Sequence, residues 1–278
     1  MCDVCVIDAV KNRMLEEKGA ARRAFLKGAA LAAAAAAPAI TAAPALAAGH
    51  APAVQDLTHA YDETFPTFFG VPGISYDQKF NWAEHKFNLF ELTVNEHTGT
   101  HIDAPLHFSE DGASVDEIEV ANLVAPLCII DVKEKAAADA DYRVTPDDLK
   151  AWTDANGAIP DGACVVMNSG WAAKVGSEEY RNADADRKLH FPGFHVETTQ
   201  ALLETGAASI GVDTLSLDHG ISADYATHYA WLGAGRYGIE NLANLDALPP
   251  SGATVIVGAP KHKRGSGGPA RVLAMVSA

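Results

Sequence analysis

The sequence predicts a mixed α/β domain organised around one sheet system. Apolar strand-like runs are interspersed with segments bearing helix start and stop signals. The composition supplies a core, with 48% hydrophobic and 21% charged residues in a chain of 278, and this excludes disorder as the general state. A formal charge of -15 speaks against gripping phosphate backbones or anionic lipid, so nucleic acid is not an expected partner.

The first stretch reads as an export signal. Arg22-Arg23-Ala24-Phe25-Leu26-Lys27 precedes a Gly/Ala run to Ala37, then Pro38, Pro44 and the small-x-small sequence Ala45-Leu46-Ala47. Paired arginines ahead of a mildly apolar segment closed in this way describe a twin-arginine signal over residues 1–47. A membrane span needs about 20 strongly apolar residues, and this proline-broken stretch falls short. The expectation is a periplasmic protein without membrane attachment once cleaved, folded as a single domain over residues 48–278. That part carries 15 basic and 32 acidic residues, or -17. Cys2 and Cys5 lie in the leader and receive no role. Cys128 and Cys164 lie in apolar runs, as buried free thiols or, in an oxidising compartment, a disulfide.

Along the remaining chain, Phe87 to Val94 reads as extended, as do Leu127 to Val132 and Ala163 to Met167. Thr145-Pro146-Asp147-Asp148 opens a helix, with a Thr cap, Pro at the first helical position and acid in the first turn; Asn156-Gly157 closes it. A second helix is expected from Val196 to Thr205, stopped by Gly206 and followed by the apolar run Ala208 to Val212. Ala253 to Gly258 and Arg271 to Val276 complete the strands.

The densest chemistry lies at Glu96 to Phe108. His97, His101, Asp103 and His107 fall at odd-numbered positions within eleven residues. In an extended segment such positions share a face, and imidazole with carboxylate on one face makes a divalent-metal site. The zinc-protease helix pattern fails here: its Glu is missing, and Gly99 weakens a helix. On spacing alone, His107 is either ligand or base.

The run His97-Thr98-Gly99-Thr100-His101-Ile102-Asp103-Ala104-Pro105-Leu106-His107-Phe108 resembles the signature of the metal-dependent cyclase and kynurenine formamidase superfamily, which includes isatin hydrolases. The resemblance continues through Gly211 to Asp218, His228, Glu240-Asn241-Leu242 and Gly265-Ser266-Gly267-Gly268-Pro269-Ala270-Arg271. It implies a compact α/β domain of the swivelling β/β/α type with a mixed sheet, assembled into a dimer or tetramer. It implies one or two Zn2+ or Mn2+ ions. His97, His101 and Asp103 would hold the first, and His228 the second, with Asp103 bridging and Glu240 shared. His107 resembles the family's proton donor and acceptor. Phe68 falls where formamidases carry a substrate-contacting Trp, a departure that puts N-formylkynurenine itself in doubt.

The implied activity is hydrolysis of an aryl formamide, lactam or related cyclic amide. The alternatives are a lactonase or cyclase acting on a cyclic ester, or a periplasmic metal-binding protein without catalysis. Manganese stands beside zinc because twin-arginine export moves folded protein, so metal can be inserted before translocation. Asp213, Ser216 and Asp218 either orient a ligand histidine or cap a turn. Asn168-Ser169-Gly170 is not a nucleophile elbow. His190-Phe191-Pro192-Gly193 reads as a turn that could line a pocket, and Trp171 as core or pocket wall. His50, His59, His85 and His262 have no convincing spacing.

Overall fold

The computed structural model describes residues 53–276. The export signal, Cys2 and Cys5 lie outside the described residues. In chain order the elements are β1 (Ala53–Asp56), β2 (Ile74–Phe80), α1 (Trp82–His85), β3 (Leu89–Val94), β4 (His101–Asp103), β5 (Val124–Asp131) and α2 (Lys133–Ala138). They continue with β6 (Arg143–Val144), α3 (Pro146–Asn156), β7 (Cys164–Asn168), β8 (Gly193–Phe194), α4 (Val196–Leu203) and β9 (Ser209–Val212). The last are α5 (Ala226–Gly233), β10 (Tyr237–Glu240), β11 (Ala253–Gly258), β12 (Gly267–Pro269) and β13 (Arg271–Val276).

A nine-stranded mixed sheet in the order β1-β13-β11-β5-β7-β9-β10-β4-β12 carries the α/β architecture. Its central run β5-β7-β9-β10 is parallel, with antiparallel strands on either side. Between their ends the parallel strands are apolar, because both faces are covered there. Leu127 and Ile129 of β5 and Cys164 and Val166 of β7 pack on one face, with Ile102, Val255 and Val272. Cys128, Ile130, Val165 and Met167 pack on the other, against Leu149 and Trp152 of α3, Leu202 of α4, and Trp231 and Leu232 of α5. Cys128 and Cys164 are buried free thiols.

The start of α3 follows the sequence signal closely. Thr145 Oγ1 accepts from the Asp148 amide, and Asp148 Oδ2 accepts from the Thr145 amide at 2.7 Å, a reciprocal cap with Pro146 at the first position. α4 ends at Leu203, slightly before the expected Thr205; Thr205 Oγ1 instead turns back to the Leu202 carbonyl.

Among the described residues, two compact units can be told apart, residues 53–75 with 93–276 and, as the smaller, Tyr76–Leu92. The smaller consists of most of the β2–β3 hairpin and the one-turn α1, which Asn81 caps by accepting from the Glu84 amide. Tyr76 and Phe90 pack edge to face across the hairpin, and Lys79 pairs with Glu91 at 2.9 Å. No helix among the described residues is long and apolar enough to cross a membrane.

Candidate metal centre

The centre grows out of strand register. β4 runs antiparallel to β10, with His101 opposite Glu240 and Asp103 opposite Gly238. Directly opposed residues present their side chains on one face, so His101, Asp103 and Glu240 converge. His101 Nε2 lies 3.3 Å from Asp103 Oδ1 and 3.2 Å from Glu240 Oε2.

The other two histidines of the run arrive by turns, which corrects the expectation of one extended segment. Gly99 takes a left-handed φ of 63°, which suits glycine, and a Cβ there would sit 2.8 Å from the Tyr61 ring. This turn brings His97 back, so that its Nδ1 lies 2.7 Å from Asp103 Oδ1. Beyond β4, Pro105 opens a 3-10 turn, Pro105–Phe108, that carries His107. The His107 ring stacks on His97 with centroids 3.9 Å apart. Strand alternation therefore accounts for His101 and Asp103 but not for their flanking histidines.

His228 comes from α5, and Asp218 fixes it twice. Asp218 accepts from the backbone amides of Thr227 and His228, anchoring the start of the helix, while its Oδ2 meets His228 Nδ1 at 2.7 Å. That leaves His228 Nε2 facing Glu240 Oε1 at 3.2 Å and Asp103 Oδ2 at 3.7 Å. Of the residues that could have served as orienter or cap, Asp218 is both. Asp213 is a cap: it accepts from the Ser169 hydroxyl and the Trp171 amide, holding the turn after β7. Trp171 belongs to the core, donating to the Tyr180 carbonyl. Phe191 is buried beside it, and His190 pairs with Asp141 at 2.8 Å.

The residues present fit a divalent cation. Among the described residues, ligand atoms gather in two groups that share Asp103, one of His101, Asp103 and Glu240 and one of His97, Asp103 and His107, donors typical of zinc and manganese sites. His101 Nε2 and Asp103 Oδ2 are buried without a hydrogen bond, which is costly unless another group engages them. The electrostatics agree. Burial opposes a charge on His101, yet Asp103 and Glu240 outweigh it and push the imidazole up to about 10. Burial would likewise lower His228, but Asp103, Asp218 and Glu240 hold it well above the usual histidine range. Burial would raise Asp103, and the surrounding histidines hold it well below the ordinary carboxylate range. Protons thus occupy positions where a cation would balance the same carboxylates. His107 behaves in the opposite way: burial pushes it down to about 4, so it is neutral at pH 7.

His97, His101, His107, His228, Glu240 and Phe68 all line one cavity of about 350 Å³. Its wall includes two aromatic residues that the sequence reading gave no role. Phe108 lies 4.6 Å from the His228 ring, and Tyr225 lies 6.3 Å from Phe68 between ring centroids. Tyr225 takes a left-handed φ of 49° at the start of α5, a conformation no residue pattern around it announces. Arg181 ties down the loop bearing Phe68, donating to the Thr67 and Phe68 carbonyls at 2.9 and 3.1 Å.

An isatin hydrolase of Roseibium aggregatum is 35% identical over 195 residues, covering 66% of this chain and 73% of its own. A kynurenine formamidase of Salinibacter ruber is 27% identical over 205 residues, covering 71% and 88%. The structure of isatin hydrolase A from Labrenzia aggregata, bound to benzyl benzoate, superposes with a TM-score of 0.77 at 36% identity. It covers 81% of this chain and 94% of that one. The Cyclase family profile matches residues 55–219, from the first strand past Asp218, and the chain belongs to that family.

Proposed function

We propose that this protein is a metal-dependent hydrolase that opens a lactam fused to an aromatic ring, as in isatin. One observation carries the reading: a buried histidine–carboxylate cluster and an uncharged His107 face the same cavity, walled by Phe68, Phe108 and Tyr225. The isatin hydrolase relative, more similar than the formamidase, supports the choice of a lactam.

His97, His101 and Asp103 would hold the metal, with Glu240 and His228 completing the set. When bound, a divalent metal supplies water that ionises near pH 7 and an electrophile for the substrate carbonyl. The rest falls to the protein. Phe68, Phe108 and Tyr225 grip the aryl ring and exclude solvent water from it. An aryl amide nitrogen leaves poorly as an anion and must receive a proton. His107, kept neutral by burial, accepts a proton from water and returns it to that nitrogen. Glu240 accepts from the Leu217 amide at 3.0 Å, which fixes its carboxylate between His101 and His228.

A second reading, an aryl formamidase with two metals, has its own support. Asp103 presents one oxygen toward His97 and His101 and the other toward His228, as a bridging carboxylate would. The leader supports a further proposal, that the protein works in the periplasm after twin-arginine export.

The test is elemental analysis of natively exported protein together with turnover of isatin, N-formylkynurenine and an aryl lactone. One metal per chain with isatin turned over fastest is the expected result. Two metals with the formamide fastest would replace the lactam reading by the second one. Metal bound with no turnover of any of the three would leave a binding protein.

A further inference from the structure

Each histidine facing Asp103 uses one ring nitrogen inward and has the other tied down. His228 is held by Asp218 and His101 by the Gly99 carbonyl, at 2.7 and 2.9 Å. His97 is tied differently. Its Nε2 lies 3.0 Å from Ser266 Oγ, and the Ser266 hydroxyl donates to Glu96 Oε2 at 2.6 Å. The same Glu96 oxygen accepts from the Ser266 amide at 3.1 Å, while Oε1 meets His262 Nε2 at 2.8 Å. A carboxylate therefore stands behind His97 as Asp218 stands behind His228, but one hydroxyl further away.

The packing around Ser266 is tight on both sides. A Cβ on Gly267 would lie 2.8 Å from His97 Cε1 and 2.4 Å from the Ile102 carbonyl oxygen, and that backbone atom cannot yield. A Cβ on Gly265 would lie 2.2 Å from His262 Nε2 and 2.8 Å from Glu96 Oε1. The glycines flanking Ser266 make room for the very rings and carboxylate that the serine connects. β12 begins at Gly267, opposite Asp103 of β4, so the connection is built into the sheet edge beside the centre.

We propose that Glu96 and Ser266 are positioning residues for the metal centre. Through the Ser266 hydroxyl, Glu96 places the proton of His97 on Nε2 and turns Nδ1 toward Asp103, and His262 holds Glu96 in place. The proposal rests on the reading of His97 as a metal ligand. An outer partner of this kind fixes ring orientation and tautomer, and its removal typically costs about 10- to 100-fold in metal affinity.

The test is competitive chelator titration with Zn2+ and Mn2+ on the whole protein, comparing the parent with Ser266→Ala and Glu96→Gln, alongside melting of the metal-free forms. Ser266→Ala should lose about 10- to 100-fold in affinity with the metal-free Tm nearly unchanged, and Glu96→Gln should lose less because its amide oxygen still accepts. His262→Ala should have the smallest effect. Equal affinity in parent, Ser266→Ala and Glu96→Gln would overturn the proposal while leaving the metal site standing. A parent that binds neither ion would overturn the reading beneath it instead. Should the variants not fold, nitrogen-detected NMR of the Zn-loaded parent decides: a proton on His97 Nε2 supports the arrangement, and a proton on Nδ1 overturns it.

Discussion

The two halves of the candidate centre are built in contrasting ways. His97, His101, Asp103 and His107 come from one short run, set by a strand between two turns. Glu240 and His228 come from β10 and α5, brought in by register and by Asp218. The local half takes its shape from its own turns, with the His97 ring steadied from outside by Ser266. The distant half needs the sheet, the helix and their packing to be correct at once. Residues of the local half are therefore expected to govern whether metal binds and turns over substrate at all, and those of the distant half how tightly and in what number.

The largest effect should come from Asp103, which both halves share. It is fully buried and faces His97, His101 and His228. Asp103→Ala removes the charge that balances those rings and should abolish stoichiometric metal binding, with turnover falling by at least about 10³-fold. Metal retained at parent stoichiometry would remove Asp103 from the centre of the comparison. His107→Ala should keep its metal and lose about 10²- to 10⁴-fold in kcat on an aryl lactam, and much less on a lactone with an easier leaving group. An equal loss on both substrates would place the role of His107 in binding rather than in proton transfer.

A smaller effect tests the distant half. Asp218→Asn removes the carboxylate behind His228 and should lower metal affinity by about 10- to 100-fold while His97 and His101 still bind. Metal binding should also depend on pH through both halves. His101, raised to about 10, and His228, raised well above 6.5, must give up protons to a cation. Their raised values stabilise the metal-free protein below the ordinary histidine pKa, and that contribution is lost as pH rises through the folded values. The gain in Tm on adding metal should therefore widen steadily between pH 6.5 and about 9. A constant gain over that range would mean the rings are already neutral.

The same contrast explains what was legible in the sequence. Strand and helix positions came from apolar runs and from the Thr145 cap, because these signals are local. So did the cluster of ligand types at 97–107, although its geometry did not: Gly99 and Pro105 break the alternation that would have aligned it. His228 and Glu240 entered only through resemblance, since nothing in their immediate neighbours says that β10 lies beside β4. Tyr225 carried no pattern, and His262 had no useful spacing because its partner Glu96 is 166 residues away. Within Tyr76–Leu92 the sequence announced only the extended stretch from Phe87, since the pairing of β2 with β3 joins residues well apart in the chain.

The smallest expected effect supplies the control for every carboxylate argument above. Asp148 is buried and partnered, yet it belongs to no site: it accepts from Tyr142, Thr145 and Lys135 at the start of α3. Burial would raise its pKa, but Lys135 and the Thr145 amide outweigh that and hold it below the ordinary value. Its stabilisation is therefore present above the unfolded carboxylate pKa and lost as pH falls through the lower folded one. Asp148→Asn should cost about 1–2 kcal/mol at pH 7, the scale of a cap with one charged hydrogen bond. The difference from the parent should shrink toward zero as the carboxylate protonates, and metal affinity should not move at any pH. Should Asp148→Asn weaken metal binding as Asp218→Asn is expected to, affinity would be reporting general loss of packing rather than the orientation of a ligand ring. The division between orienting and purely structural carboxylates would then fail.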